Sequence, residues 1–143
     1  MILPDVNVLV YAFRAEADRH GAYAAWLNEV VAGADELALH DVVLSGMVRI
    51  VTNPRIMSDP APIGRALDFV GHLRSARRGR WVSSNAASWE QFERFAAGDR
   101  AITGNLVPDA FLAAVAVAHR CRIATADRGF ARFRGLGFFD PAA

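Results

Sequence analysis

The sequence predicts an α/β domain in which a short central parallel sheet lies between two layers of helices. Short apolar segments alternate along the chain with amphipathic helical stripes, a pattern typical of parallel strands that helices cover on both faces. A length of 143 residues with 53% hydrophobic content is enough for one well-filled core. We therefore expect a three-layer α/β/α fold that forms a single domain over residues 1–143.

The first half of the chain predicts two strands and three helices. Apolar residues recur at helical spacing in each predicted helix, and a glycine or an Asn-Pro pair follows the first two of them. Asp41 is expected to cap the helix that comes after it. The expected elements are a strand at 2–5, helices at 22–31, 42–51 and 63–73, and a strand at 36–40.

The second half predicts two helices and two strands. Ser88 and Gln91 fit a capping box that opens the first of these helices. Pro108 and Asp109 begin a nearly all-apolar helix. The expected elements are helices at 88–95 and 108–119 and strands at 122–125 and 136–139.

Composition excludes several kinds of chemistry. All 16 cationic side chains are arginine, so reactions that need a lysine are ruled out. Cys121 is the only cysteine, which excludes an intrachain disulfide and a sulfur-rich zinc site and favours a buried thiol. No apolar run approaches the roughly 18 residues of a membrane span, and Asp5 and Asn7 interrupt the N-terminus where a signal peptide is apolar. We expect a soluble, cytoplasmic protein.

Three aspartates are expected to meet at one edge of the sheet. The helix from Asp109 to residue 119 spans about 16 Å at ~1.5 Å per residue, and the return through Asp127 covers about 16–20 Å at ~3.3 Å per residue. Because a helix and the strand after it run antiparallel, Asp109 and Asp127 lie at the same edge. A first strand parallel to this one places Asp5 there too. Ligands on such sheets bind at this edge.

A cluster of this kind favours a divalent cation. Close carboxylates raise one another's pKa unless a positive charge neutralises them, and Mg²⁺ and Mn²⁺ prefer carboxylate oxygen and water as ligands. Each residue also has a structural interpretation. Asp127 can cap a short helix, Asp109 can interact with a helix dipole, and Asp5 can be a turn residue.

Four segments resemble the PIN-domain ribonucleases and, more narrowly, the VapC toxins of bacterial type II toxin–antitoxin pairs. Together they span most of the chain in the same order and spacing. The segments are DVNVLVY at 5–11, VRIVTNP at 48–54, GNLVPDA at 104–110 and TADRGFARF at 125–133.

The resemblance implies a PIN-like fold and a Mg²⁺- or Mn²⁺-dependent endoribonuclease that cuts structured RNA such as tRNA or rRNA. It implies a cognate VapB-type antitoxin and a homodimer. By motif match, Asp5 and Asp109 would be the metal ligands, and Asp127 would be a further catalytic acid that acts directly or through water. Asn7 and Thr125 would be polar supports around them.

One position departs from the family pattern. The glutamate that the family commonly places early in the helix after the second strand appears here as Gly46, and Asp41 is a partial substitute at best. The alternative function is therefore a catalytically weak or inactive PIN-like module that binds RNA or antitoxin. An aspartyl-phosphate enzyme is a third hypothesis, because the segment from Asp5 to Val8 is similar to the phosphatase motif DxDx[TV], but it lacks the second aspartate and the lysine.

Two groups of arginines are candidate RNA-backbone contacts. Phosphate contacts by such residues bind RNA with little sequence preference. The alternative for each group is a solvated helix end. The groups are Arg74, Arg77, Arg78 and Arg80, and Arg128, Arg132 and Arg134.

Overall fold

The structure, a computed structural model, describes residues 1–143. Five strands and six α-helices form an α/β fold, which confirms the predicted class. The strands are β1 (Ile2–Pro4), β2 (Leu37–Leu39), β3 (Gly79–Trp81), β4 (Arg122–Ala124) and β5 (Phe138–Phe139). The helices are α1 (Val6–Phe13), α2 (His20–Ala32), α3 (Asp41–Val51), α4 (Ile63–Arg74), α5 (Ala86–Gly98) and α6 (Val107–Ala118).

The sheet is entirely parallel, with strand order β3-β2-β1-β4-β5. The two central strands are in register, so that Pro4 pairs with Ala124. Asp5 and Thr125 therefore follow neighbouring strands at the same carboxyl edge. Helix α1 packs against α2 and α3, while α5 packs against α6, and the apolar faces of both groups join one core. None of the helices is long and apolar enough to cross a bilayer.

Two elements were not predicted from the sequence. Helix α1 consists of the apolar run 6–13, which is too short and too rich in β-branched residues to be told from a strand by periodicity. Strand β3 is the exposed edge strand Gly79–Trp81, and its pairing with β2 rather than an apolar pattern defines it.

Two predicted helix caps were wrong by position. His40 is the N-cap of α3, and Asp41 lies inside the first turn, where its Oδ1 accepts a hydrogen bond from the Val42 N–H at 2.9 Å. Helix α5 begins two residues earlier than expected. Its N-cap is Asn85, and Ser88 is the partner of Asn85 in a capping box.

Candidate active site

Asp5 occupies the junction between β1 and α1. Its Oδ1 accepts a hydrogen bond of 2.7 Å from the Val6 N–H, so it caps the helix. Its own backbone N–H donates to the carbonyl of Ala124 at 2.9 Å. The residue is only 8% exposed. Backbone bonds on both sides therefore fix the position of this carboxylate at the edge of the sheet.

The hydroxyl of Thr125 holds the second oxygen of this carboxylate. Its Oγ1 donates to Asp5 Oδ2 at 2.8 Å. It accepts from the side-chain amide of Asn7 at 3.3 Å and from the backbone N–H of Asp127 at 3.0 Å. A hydroxyl offers one donor and two acceptor sites, so all three are used. Both predicted polar supports thus lie in one hydrogen-bond network with Asp5.

Asp109 and Asp127 lie at the start of two helical segments. Asp109 is in the first turn of α6 and is half-buried, with no hydrogen bond from another side chain. Asp127 is exposed, and its Oδ1 accepts from the Gly129 N–H at 2.7 Å, which caps a three-ten helix over Arg128–Arg132. The capping role expected for Asp127 is therefore real. This hydrogen bond occupies one oxygen of the Asp127 carboxylate and leaves the other without a protein partner.

The three predicted aspartates line one open cleft of about 330 Å³. Asn7 completes its polar part. Its apolar part was not predicted and consists of Val6, Val10, Tyr11 and Ile50. Most of these side chains belong to α1, so they were missed together with that helix. The spacing of Val8, Leu9 and Ala12 after a capping aspartate is the one signal that indicates it.

The carboxylates repel one another. Burial raises the pKa of Asp5 above its usual range, against hydrogen bonds from Thr125 and Val6 that lower it, and the charge of Asp127 raises it further. Burial, with the charges of Asp5 and Asp127, raises the pKa of Asp109 to about 6. No arginine or histidine forms an ion pair with any of the three. The cleft therefore holds negative charge without a counter-charge from the protein.

This donor set fits a hard divalent cation that keeps part of its water shell. No three His, Cys, Asp or Glu side chains are placed to hold an ion together. Mg²⁺, however, is usually bound through one or two carboxylates and several waters. Two carboxylates in an uncompensated cluster, with a third nearby, suit that mode of binding. A closed cage of protein ligands is not what this cleft offers.

Gly46 lies on α3, next to one residue of the cleft. A Cβ at this position would lie 3.3 Å from Cγ2 of Val6, a cleft residue. The glycine therefore allows α3 to pack closely on the start of α1. Asp41 is exposed and does not line the cleft, so the geometry gives no support to Asp41 as a substitute carboxylate.

Three of the four arginines in the first group have partners within the protein. Arg78 and Arg80 pair with Glu36 at 2.9 and 3.1 Å, and the guanidinium of Arg74 lies 6.0 Å from the ring centroid of Trp81. These contacts attach β3 to its surroundings and favour the structural interpretation. Cys121 is also structural, because it is buried and burial raises the pKa of its thiol.

Thr125→Val is expected to weaken the binding of an added divalent cation about 10–100-fold, as does loss of other groups that orient a metal ligand. It should also lower the free energy of unfolding by about 1–3 kcal/mol, because the amide of Asn7 and the N–H of Asp127 lose their acceptor. Thr125→Ser keeps the hydroxyl and is the matched control. Metal titration and urea denaturation of both variants test this. Equal metal affinity in the two variants would contradict the role of the hydroxyl.

The fold and the carboxylate cleft together define a class. Residues 2–136 match the PIN domain family, and the chain belongs to that family.

Within it, the chain belongs with the VapC proteins. It is 38% identical to Ribonuclease VapC43 of Mycobacterium tuberculosis over 99% of this chain and 95% of that protein. It is 31% identical to Ribonuclease VapC31 of the same species, over 99% of both chains. The fold is also similar to VapBC2 from Rickettsia felis bound to a promoter DNA fragment, with a TM-score of 0.70, 20% identity and 98% of both chains covered. FitAcB from Neisseria gonorrhoeae gives a TM-score of 0.66 at 18% identity, over 99% of this chain and 98% of that one.

Proposed function

We propose that the chain is a Mg²⁺- or Mn²⁺-dependent endoribonuclease that acts as the toxin of a VapBC-type pair on structured RNA. The observation that carries the proposal is the single cleft that Asp5, Asp109 and Asp127 line, where the charges of Asp5 and Asp127 act on Asp109 and no arginine or histidine pairs with any of the three. Relatives named as ribonucleases, at 31–38% identity over nearly the full chain, support the choice of RNA. An RNA substrate of this kind also supports a cytoplasmic site of action.

Each residue of the cleft has a distinct task in this proposal. Asp5 and Asp109 would hold the ion, while Asp127 would contribute its free oxygen directly or through water. A divalent ion in such a site polarises a phosphoryl oxygen and lowers the pKa of bound water. Thr125 keeps the Asp5 carboxylate in one orientation. Asn7 and the N–H of Asp127 in turn hold the Thr125 hydroxyl.

A protein partner is part of the proposal. Val42, Leu67 and Trp81 are each more than half exposed, and the last two border an apolar groove of about 380 Å³ between α3 and α4. Exposed apolar patches of this kind mark protein interaction sites. The similarity to a VapBC complex favours a VapB-type antitoxin as a partner, and a homodimer would bury further apolar surface.

The direct test is cleavage of purified tRNA and rRNA by the purified protein. We expect cleavage with Mg²⁺ or Mn²⁺, none after chelation by EDTA, and recovery when metal is restored. End mapping of the products would name the cleaved bond. Binding of RNA without cleavage, with both metals and both RNA classes, would contradict the ribonuclease proposal. It would favour the alternative of a non-catalytic module, which is based on Gly46 at the position of the family's glutamate.

Gly46→Glu is expected to strengthen metal binding relative to Gly46→Gln. Both side chains must displace Val6 by a few tenths of an ångström, so their packing costs match and only the charge differs. A carboxylate next to Val6 should lower the Mn²⁺ concentration that gives half-maximal cleavage by roughly tenfold, the order of effect of a group in the outer ligand shell. Equal Mn²⁺ dependence in the two variants would show that position 46 does not reach the ion.

A further inference from the structure

A second cleft, distinct from the carboxylate cleft, is lined by arginines. It has a volume of about 400 Å³ and lies between the end of α5 and the segment that follows the three-ten helix. We call it the arginine cleft. Its cationic side chains are Arg94, Arg132 and Arg134, and its apolar wall consists of Phe95, Ile102 and Phe133.

The arginine cleft carries more positive than negative charge. Asp99 is its only acidic residue, and it pairs with Nε of Arg132 at 3.3 Å. Nε and one terminal nitrogen of Arg94 donate to Oε1 of Gln91 at 3.3 and 2.9 Å. Arg134 makes no side-chain hydrogen bond or ion pair. Three arginines and a single acidic residue therefore line one cleft, and each guanidinium group has N–H donors left for a ligand.

The wall behind these groups is closely packed. Phe95 and Phe133 are buried, and their ring centroids lie 5.2 Å apart. Phe133 also packs on Phe130 at 5.6 Å. The cationic side chains thus stand on a packed aromatic base that belongs to two different elements. Such a base supports the cationic side chains from below and leaves their guanidinium groups at the cleft.

The arginine cleft is joined to the carboxylate cleft by a short segment. Asp127 caps the three-ten helix Arg128–Arg132, and a helix of this kind rises about 2 Å per residue. The backbone at Arg132 is therefore on the order of 10 Å from that at Asp127. The two clefts are therefore close enough along the chain for one extended polyanion to contact both.

We propose that the arginine cleft binds the phosphodiester backbone of the RNA next to the cleaved bond. This inference rests on the proposed ribonuclease function. Arginine suits the ligand because its planar fork donates two parallel hydrogen bonds to phosphate. The cleft would increase the affinity of the protein for RNA and fix the direction in which the bound strand runs. Contacts to phosphate would do so with little preference for sequence.

The test measures the affinity for RNA at a series of salt concentrations. The RNA probe is chemically modified so that the protein does not cleave it during the measurement. A fluorescent 2′-O-methyl RNA hairpin is titrated with wild type, Arg134→Ala and the double variant Arg94→Ala/Arg134→Ala across a salt series. The matched control is Arg65→Ala, an exposed arginine on α4 outside both clefts. Each phosphate contact contributes about 0.7–0.9 to the slope of log affinity against log salt. Arg134→Ala should therefore reduce the slope by about 1 and the double variant by more, while Arg65→Ala leaves it unchanged.

Other outcomes separate the alternatives. A slope in the double variant equal to that of Arg65→Ala would overturn the proposal. The same holds if a polyglutamate peptide binds wild type but not the double variant while RNA binding is unaffected, because the cleft would then take an acidic protein segment. Cleavage of unmodified RNA is measured separately. If neither the wild type nor any variant cleaves RNA but the salt slopes of the double variant and Arg65→Ala differ, only the ribonuclease proposal fails. If the wild type cleaves RNA and these two slopes agree, only the arginine cleft proposal fails.

Discussion

Asp5→Asn is expected to lower RNA cleavage by a factor of about 100 or more, the scale seen when one charged or polar group at a reaction centre is removed. Asp5 is the most deeply buried of the three aspartates, and its second oxygen is fixed by Thr125. The amide has nearly the same shape but no charge. It therefore removes the electrostatic attraction for a cation and leaves the packing in place.

The fold should survive this change. The amide oxygen of asparagine can still accept from the Val6 N–H, as the Asp5 carboxylate does. The amide nitrogen cannot accept from the Thr125 hydroxyl, so the variant loses this one hydrogen bond. Circular dichroism and thermal unfolding check this. Asp68→Asn, on the exposed face of α4, is the control for loss of one surface charge and should cleave like the wild type. Cleavage by Asp5→Asn at the wild-type rate would mean that the site has been placed wrongly.

Asp109→Asn is expected to change activity and stability in opposite directions. Cleavage should fall about 100-fold or more, for the same electrostatic reason as at position 5. The free energy of unfolding of the metal-free protein at pH 7–8 should rise by about 0.5–1 kcal/mol. This figure is discounted, since solvent screens a half-buried group and the first-turn carboxylate also gains from the helix dipole.

The pH dependence gives the sign of that stability change. The folded pKa of Asp109, about 6, lies above the ordinary aspartate value of 3.8. Between these values the folded state binds the proton more tightly, so stability falls as pH rises and the full penalty is present above pH 6. The variant and the wild type should therefore agree near pH 4 and diverge through pH 6. A difference in urea midpoint that stays constant from pH 4 to pH 8 would contradict this origin.

The proximity of the three aspartates could be predicted from the sequence because it depends only on the directions in which the helices and strands run. A helix and the next strand run antiparallel, and parallel strands end at one edge, so Asp5, Asp109 and Asp127 follow from the order of elements. Exact element boundaries are not needed for this step. The structure places all three side chains along one cleft.

The rest of the site depends on tertiary packing. Helix α1 brings Val10 and Tyr11 to the cleft, but its apolar sequence fits a strand equally well. The arginine cleft joins Arg94 to Arg134 through the packing of Phe95 on Phe133, a contact that no local pattern encodes. Strand β3 was missed because its exposed Gly-Arg-Trp segment has no apolar alternation.

Binding of Mn²⁺ to the metal-free protein, measured by calorimetric titration without RNA, tests the central claim most directly. The wild type and Asp68→Asn should bind the ion saturably, whereas Asp5→Asn and Asp109→Asn should show at least about tenfold weaker binding, the lower bound for loss of a group that tunes a metal site. Wild-type protein that binds no Mn²⁺, or variants that bind it as tightly as the wild type, would contradict the account.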